Sequence, residues 1–139
     1  MADPFQNVSA AGPDFIGIFA HQLEVRAAEP DMVGIVEAYL DDLPWDDITL
    51  AVELGCGTGP VARRMARQSS RAQVIGIEPS PELVKHAQDL AEGIANLRFE
   101  TGTARRYSLR TARQTLSSST RSCATSWILS SCWPRPCGS

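Results

Sequence analysis

Apolar residues in the first third of the chain recur at helical spacing. A first helix is predicted from Asp14, with apolar positions three to four residues apart at Phe15, Ile18, Phe19 and Leu23. Pro30 and Asp31 signal the start of a second helix, whose apolar face consists of Met32, Ile35, Val36, Tyr39, Leu40 and Leu43. The residues up to Pro13 are small and polar and indicate a mobile terminus. We therefore predict an N-terminal helical segment over residues 1–47.

After this segment, short apolar runs alternate with helical patterns. Residues 50–54 form the first run, and a helix is predicted from Pro60, where a missing N–H costs nothing. Its apolar residues are predicted to point inward and its arginines outward: Val61, Ala62, Met65 and Ala66 against Arg63, Arg64 and Arg67. A second strand covers 74–77, and Ser80 can cap the next helix. The predicted buried stripe of that helix is Leu83, Val84, Ala87, Leu90 and Ala91. A third strand over 97–100 completes a βαβαβ unit within residues 48–104, whose right-handed crossovers place the strands in the order 3-2-1.

Chemistry-bearing residues follow the first two strands. Gly55, Gly57 and Gly59 let the backbone turn tightly and approach a ligand without a Cβ in the way. The helix amides beyond them attract negative charge. Glu78 ends the second strand, nineteen residues after Gly59, where a carboxylate can accept both hydroxyls of a ribose. Since ligands of such sheets bind beyond the carboxyl ends of the strands, these residues predict a nucleotide site.

Two details argue against a dinucleotide as the ligand. The dinucleotide fingerprint has a glycine where this chain has Pro60, and it has an apolar residue where this chain has Glu53. A carboxylate buried in a strand needs a partner, which loop amides or a cationic amino group could provide. Two functions stay open as alternatives for such a nucleotide site: an NAD-dependent oxidoreductase and a nucleotide-binding module without catalysis.

The run from Val52 to Gly59 resembles motif I of the class I S-adenosylmethionine-dependent methyltransferases. The resemblance covers residues 45–104 and implies a Rossmann-like α/β fold. It implies that Glu53 holds the loop and the cofactor's amino group, and that Glu78 binds the ribose. Thr103 stands where the family has an aspartate that contacts the adenine. The cofactor-binding residues implied are Glu53, Gly55, Cys56, Gly57, Thr58, Gly59, Glu78, Pro79 and Thr103.

No residue is assigned a catalytic role. Methyl transfer is an in-line displacement, in which the enzyme mainly positions the reactants and a base is optional. Cys56 is predicted to be a small buried filler, because no base is spaced to activate it. His86 is expected on the exposed side of its helix, and His21 is expected to be structural. The four acids at 41, 42, 46 and 47 lack metal-ligand spacing, so no metal is predicted.

Composition breaks sharply near Thr103. The first hundred residues hold all sixteen acids against seven basic residues, a net charge of −9, whereas residues 101–139 hold six arginines and no acid, a net charge of +6. The tail is also rich in serine, and its cysteines match no zinc or redox spacing. We predict that residues 105–139 are disordered or non-native, so that the fold is truncated after the third strand and strand one is left as an exposed edge.

The genetic code suggests that the tail is family sequence translated in a shifted frame. In this frame, the third base of each codon is read together with the first two bases of the next codon. The codons of Trp127 and Ile128 then must encode Asp, and those of Gln114 and Thr115 must encode Asp or Asn. With suitable codons the shifted sequence can read as an Asp, an apolar run and a His, a pattern that resembles the family's fourth strand and following segment. The hypothesis places the slip between 104 and 108 and makes the 139-residue form an inactive fragment.

The partners expected are few. No apolar run reaches the ~20 residues of a membrane span, and no secretory signal is apparent, so a cytoplasmic protein is predicted. The acidic first part makes nucleic acid a poor candidate, and the arginines of the tail lack a binding pattern. A small-molecule methyl acceptor is the expected substrate.

Overall fold

Two helices precede a parallel sheet in the computed structural model, which describes residues 12–103, 106 and 125–130. Each of the four helices begins with a proline at its first turn, where the ring's fixed φ suits the helix. The elements in chain order are α1 (Pro13–Ala27), α2 (Pro30–Asp41), β1 (Ile48–Leu54), α3 (Pro60–Gln68), β2 (Gln73–Glu78), α4 (Pro81–Leu90), β3 (Leu97–Thr101) and β4 (Thr125–Ser130).

The strands lie in the order β3-β2-β1-β4, and every neighbouring pair is parallel. Val52 of β1 is opposite Ile75 of β2, and Gly76 of β2 is opposite Phe99 of β3. The predicted order 3-2-1 and the Rossmann-like α/β class are confirmed. Because the strands are parallel, β1 and β2 end at the same edge of the sheet, and the glycine loop and Glu78 come together there.

The sheet continues one strand beyond the predicted third. The backbone of β4 pairs in parallel with β1 from Ile48 to Leu54, so β1 is an interior strand and not the exposed edge that the sequence analysis expects. An edge strand presents a row of unpaired N–H and C=O groups, which another segment of the chain can satisfy. The strand lies within the serine-rich tail, whose composition hides it. The division of the chain at 47/48 and 104/105 and the shifted frame stay predictions.

The core lies between the sheet and helices α2, α3 and α4. Its fully buried side chains include Leu40, Ile48, Met65 and Val74. Of the four predicted inward residues of α3, Ala62, Met65 and Ala66 are buried and Val61 is only partly buried. None of the helices that the structure describes is long and apolar enough to cross a membrane.

The helical periodicity predicts more burial than the structure has. Leu90, at the end of α4, is 49% exposed although it belongs to the predicted stripe. On α2 the chain buries Leu40 and exposes Ile35 and Tyr39, and on α1 it buries Ile16 and Ala20 and exposes Phe15 and Ile18. Apolar residues cover more than one side of α1 and α2, so periodicity alone does not determine which side packs against the sheet.

Asn96 joins three elements just before β3. The two N–H groups of its side-chain amide donate to three carbonyl oxygens, so one of them is shared: Ala66 at 3.0 Å, Ser69 at 2.8 Å and Ala72 at 3.0 Å. Its own backbone carbonyl oxygen accepts from the amide of Val74. The end of α3, the turn after it and the start of β2 are therefore fixed by one residue.

Replacing this residue tests the junction. Asn96→Ala is expected to lower the free energy of unfolding by about 2 kcal/mol, because three partly buried carbonyl groups lose their donor. Urea denaturation followed by circular dichroism measures the change. Gln88→Ala, which removes an exposed side-chain amide from α4, is the matched control. An equal loss in both variants would contradict the role of Asn96.

Candidate functional site

The loop between β1 and α3 adopts a conformation that three glycines make possible. Gly55, Gly57 and Gly59 have φ values of 72°, 56° and 77°, in the left-handed region that side chains disfavour. The amides of Gly55 and Cys56 donate to the carbonyl oxygen of Ile77 at 2.7 and 3.1 Å, which binds the loop to the end of β2. The amide of Gly59 donates to the carbonyl of Cys56 at 2.8 Å and closes the turn into α3.

Two glycines allow Phe99 of β3 to pack beneath this loop. A Cβ on Gly59 would overlap the Phe99 ring, and a Cβ on Gly76 would lie 2.5 Å from that ring and 2.8 Å from the sulfur of Cys56. Phe99 is itself buried. The glycine loop, β2 and β3 are thus in contact at the point where the strands end.

Glu78 connects the glycine loop to α4. Its two carboxylate oxygens accept hydrogen bonds from the amide of Gly57 at 3.0 Å and from the amide of Ser80 at 3.1 Å. The hydroxyl of Ser80 in turn accepts from the amide of Leu83 and caps α4. A carboxylate has about four acceptor sites, so Glu78 keeps capacity for further donors from a ligand.

Glu53 is a buried carboxyl at the end of β1. Its side chain is 4% exposed, and among the described residues its Oε2 is the buried side-chain oxygen without a hydrogen-bond partner. Burial raises its pKa to about 8, and nearby Glu78 adds to the rise, while a hydrogen bond from the Ala62 backbone and the charge of Arg63 oppose it. Burial therefore favours the protonated form of this carboxyl as long as no cationic group lies beside Oε2.

Cys56 is a buried thiol close to both of these acids. Burial raises its pKa well above the ordinary range, and the charges of Glu53 and Glu78 raise it further. Nucleophilic cysteines need a lowered pKa and access to a substrate. The structure thus places Cys56 as the filler that the sequence predicts.

The remaining predicted residues lie in different environments. Pro79 and Thr103 are exposed, Pro79 directly after β2 and Thr103 shortly after β3, near the same edge of the sheet. Thr58 is fully buried, and its hydroxyl donates to Glu24 of α1 at 2.6 Å. The side chain of Thr58 therefore points at α1, so a ligand in the loop could meet only the backbone of this residue.

Sequence reasoning misses two residues of this region, Glu24 and Arg63. Arg63, predicted to point outward from α3, is only 11% exposed in its side chain and forms a 2.6 Å ion pair with Glu24. It also donates to the carbonyl oxygen of Thr58 at 2.7 Å. The two residues are 39 positions apart in the sequence. No spacing rule connects a helix that precedes the first strand with a helix that lies between two strands of the sheet.

The two histidines of the chain lie on helices α1 and α4. His21 is exposed on α1, while His86 is half-buried on α4, contrary to the expected exposure. Within residues 12–103, 106 and 125–130, no group of three His, Cys, Asp or Glu residues could hold a metal ion.

Comparison with known proteins identifies the family. A family described as "Methyltransferase domain" matches residues 51–127, more than half of the chain. The chain is 27% identical over 93 residues to an ornithine lipid N-methyltransferase of Singulisphaera acidiphila, and this match covers 66% of the chain and 48% of the relative. The chain thus spans about half the length of this curated relative.

A solved structure shows the same fold. The structure of human N-acetylserotonin methyltransferase in complex with S-adenosylmethionine matches with a TM-score of 0.57 at 16% identity, covering 73% of this chain and 28% of that one. The YcgJ protein of Bacillus subtilis matches less closely, with a TM-score of 0.44 at 25% identity, covering 50% of this chain and 30% of that one. The family match, together with the glycine loop and the strand order, shows that the chain belongs to the class I S-adenosylmethionine-dependent methyltransferases.

Proposed function

We propose that this chain binds S-adenosylmethionine at the carboxyl ends of β1 and β2 and transfers its methyl group to a small-molecule acceptor, rather than being the inactive fragment that the shifted-frame hypothesis implies. The observation that carries the proposal is the meeting of the glycine loop, the buried Glu53 and the partly satisfied Glu78 at one edge of the sheet. The proposed cofactor contacts are Glu53, Gly55, Cys56, Gly57, Thr58 through its backbone, Gly59, Glu78, Pro79 and Thr103.

The residues fit such a ligand. Glu53 has a buried oxygen without a partner, which a cationic amino group would satisfy at the end of β1. Glu78 has both oxygens engaged by backbone amides and retains acceptor sites for a pair of hydroxyl groups. An acidic pair of this kind favours a ligand that carries a positive charge and hydroxyls over one that carries a pyrophosphate.

The chain's own contribution to the reaction is positioning. When bound, S-adenosylmethionine supplies a methyl group activated by a sulfonium, which the lone pair of an acceptor can attack in line. The cofactor side of the site is held in a fixed geometry by Glu53, Glu78 and the glycine loop. A fixed geometry of this kind reduces the entropic cost of bringing two substrates together. We assign no general base, because an acceptor nucleophile with a free lone pair needs none.

An amine is the acceptor group to test first. The similarity to a relative named ornithine lipid N-methyltransferase supports this choice, although that relative is about twice as long as the match. Incubating the chain with radiolabelled S-adenosylmethionine and a panel of amines, alcohols and thiols compares the acceptor classes. Label transfer only to alcohols or thiols would contradict an amine acceptor.

Calorimetric titration distinguishes the proposed cofactor from the dinucleotide alternative. We expect S-adenosylhomocysteine, the demethylated product, to bind the 139-residue chain with a Kd in the micromolar range, about −8 kcal/mol. NAD is expected to produce no saturable heat under the same conditions, since Pro60 and Glu53 replace features of its site. Binding of NAD alone would contradict the proposed function.

Glu78→Gln tests the hydroxyl-binding carboxylate. Hydrogen bonds to a charged group contribute about 1.5–3 kcal/mol, so the Kd for S-adenosylhomocysteine should rise about 10- to 100-fold. Glu92→Gln removes an exposed carboxylate beyond the end of α4 and serves as the control for charge loss. A Kd that is unchanged in Glu78→Gln, or raised equally in the control, would show that Glu78 does not contact the ligand.

A further inference from the structure

Helix α1 lies against the glycine loop. Ile16 and Ala20 of α1 are buried in one apolar cluster with Leu83 of α4. Further along the helix, the terminal carbon of Leu23 lies 3.1 Å from the position that a Cβ on Gly57 would occupy. The side of α1 that packs therefore runs from the start of α4 across the loop that follows β1.

Glu24, the next residue of α1, holds both Thr58 and Arg63. One carboxylate oxygen accepts from the hydroxyl of Thr58 at 2.6 Å, and the other accepts from the guanidinium of Arg63 at 2.6 Å. The same guanidinium donates to the backbone carbonyl of Thr58 at 2.7 Å. Three charge-assisted hydrogen bonds thus form a closed ring around Thr58, which fixes both its side chain and its backbone.

The last turn of α1 is attached to α3 mainly by polar contacts and not by apolar packing. A depression of about 90 Å³ separates the last turn of α1 from α3, and it is lined by Ala27, Ala28, Pro60 and the three arginines of α3. One further polar contact crosses it, from Arg64 to the backbone carbonyl of Ala27 at 2.9 Å. Because Arg63 and Glu24 are 11% and 29% exposed in their side chains, their pair is shielded more than a surface ion pair.

We propose that Glu24 is a positioning residue for the cofactor site: it holds Thr58 so that the backbone of Gly57, Thr58 and Gly59 keeps the conformation that receives S-adenosylmethionine. The inference rests on the proposed function for the identity of the ligand. The ring adds a residue outside the βαβαβ unit to the binding machinery, and it makes α1 a part of the cofactor site. Glu24 itself acts through Thr58 and need not touch the ligand.

Two variants remove different parts of the ring. Glu24→Gln removes the charge that pairs with Arg63, and Thr58→Val removes only the hydroxyl while the Glu24–Arg63 pair can persist. In both, we expect amide hydrogen exchange at Gly57 and Gly59 in the ligand-free chain to become about tenfold faster. The Kd for S-adenosylhomocysteine, measured calorimetrically, should rise about tenfold. Thr58→Ser restores the hydroxyl and should return both quantities to within about twofold of wild type.

Arg64→Met is the matched control, because it removes the other polar contact between α3 and α1 without touching the loop. Its loop exchange and Kd should stay within about twofold of wild type. If Arg64→Met changes them as much as Glu24→Gln does, or if Thr58→Ser fails to rescue, Glu24 only attaches α1 and the inference is overturned. If the wild-type chain binds no S-adenosylhomocysteine, the proposed function fails, and the exchange rates in the ligand-free chain alone decide whether Glu24 positions the loop.

Discussion

Gly59→Ala is expected to lower the free energy of unfolding by about 3 kcal/mol, a large part of the stability of a small domain. Gly59 has a φ of 77°, where an alanine costs about 1–2 kcal/mol. The added methyl group would also overlap the ring of Phe99, and overpacking of this kind costs about 1–3 kcal/mol. Urea denaturation of the variant and the wild type measures the difference.

Gly93→Ala separates the two causes. Gly93 has a φ of 86°, but a Cβ there would meet no atom within 4 Å, so only the backbone cost of about 1 kcal/mol is expected. The excess loss in Gly59→Ala then measures the contact with Phe99. Equal losses in the two variants would mean that the loop moves away from Phe99 at little cost. The close approach of β3 to the glycine loop would then have no energetic importance.

The sequence predicts the sheet well because its signals there are local. A buried strand, a glycine turn and a proline-started helix each occupy a few consecutive residues, and right-handed crossovers then determine the order of the strands. The same logic brings the loop after β1 and Glu78 to one edge. Glu53 differs from the expectation that loop amides could provide its partner: a hydrogen bond comes from the backbone of Ala62 in α3 and not from the loop, and Oε2 has no partner.

Contacts between distant elements are beyond such reasoning. Glu24 meets Thr58 and Arg63 only because α1 packs against the loop that follows β1 in a particular orientation. No local pattern determines that orientation, since α1 carries apolar residues on its exposed side as well as on its buried side. The contacts of Phe99 with Gly59 and Gly76 likewise depend on the register of β2 and β3. The glycines leave room for the ring, but their presence in the sequence does not predict that register.

The fourth strand shows a different limit. Residues 125–130 lie in a segment whose charge and serine content separate it from the rest of the chain. The amino-acid composition of a segment indicates whether its own side chains can bury enough apolar surface to fold. Composition does not indicate that the edge of β1 offers backbone hydrogen-bond partners to a short run such as Thr-Ser-Trp-Ile-Leu-Ser. The family match also extends to residue 127, past the compositional break near Thr103.

The second large effect concerns the pH dependence of stability. Glu53 has a pKa of about 8 in the folded chain against an ordinary value of 4.5, chiefly because it is buried. Between these two values the folded state binds one proton more than the unfolded state, so the free energy of unfolding must fall as the pH rises. At about 1.36 kcal/mol per pKa unit, the loss between pH 4.5 and pH 8 is on the order of 5 kcal/mol.

Glu53→Gln should remove this dependence, because the amide has a similar shape and no charge to desolvate. We expect the variant and the wild type to have similar stability near pH 5, and the variant to be more stable by several kcal/mol at pH 8.5. Urea midpoints at half-unit steps between pH 5 and pH 9 measure the two curves, with Glu92→Gln as a control for the loss of an exposed carboxylate. Parallel curves for wild type and Glu53→Gln would show that Glu53 is ionised in the folded chain. The carboxyl would then already have a charge partner before any ligand binds, and the unpartnered Oε2 could not be what selects a cationic ligand.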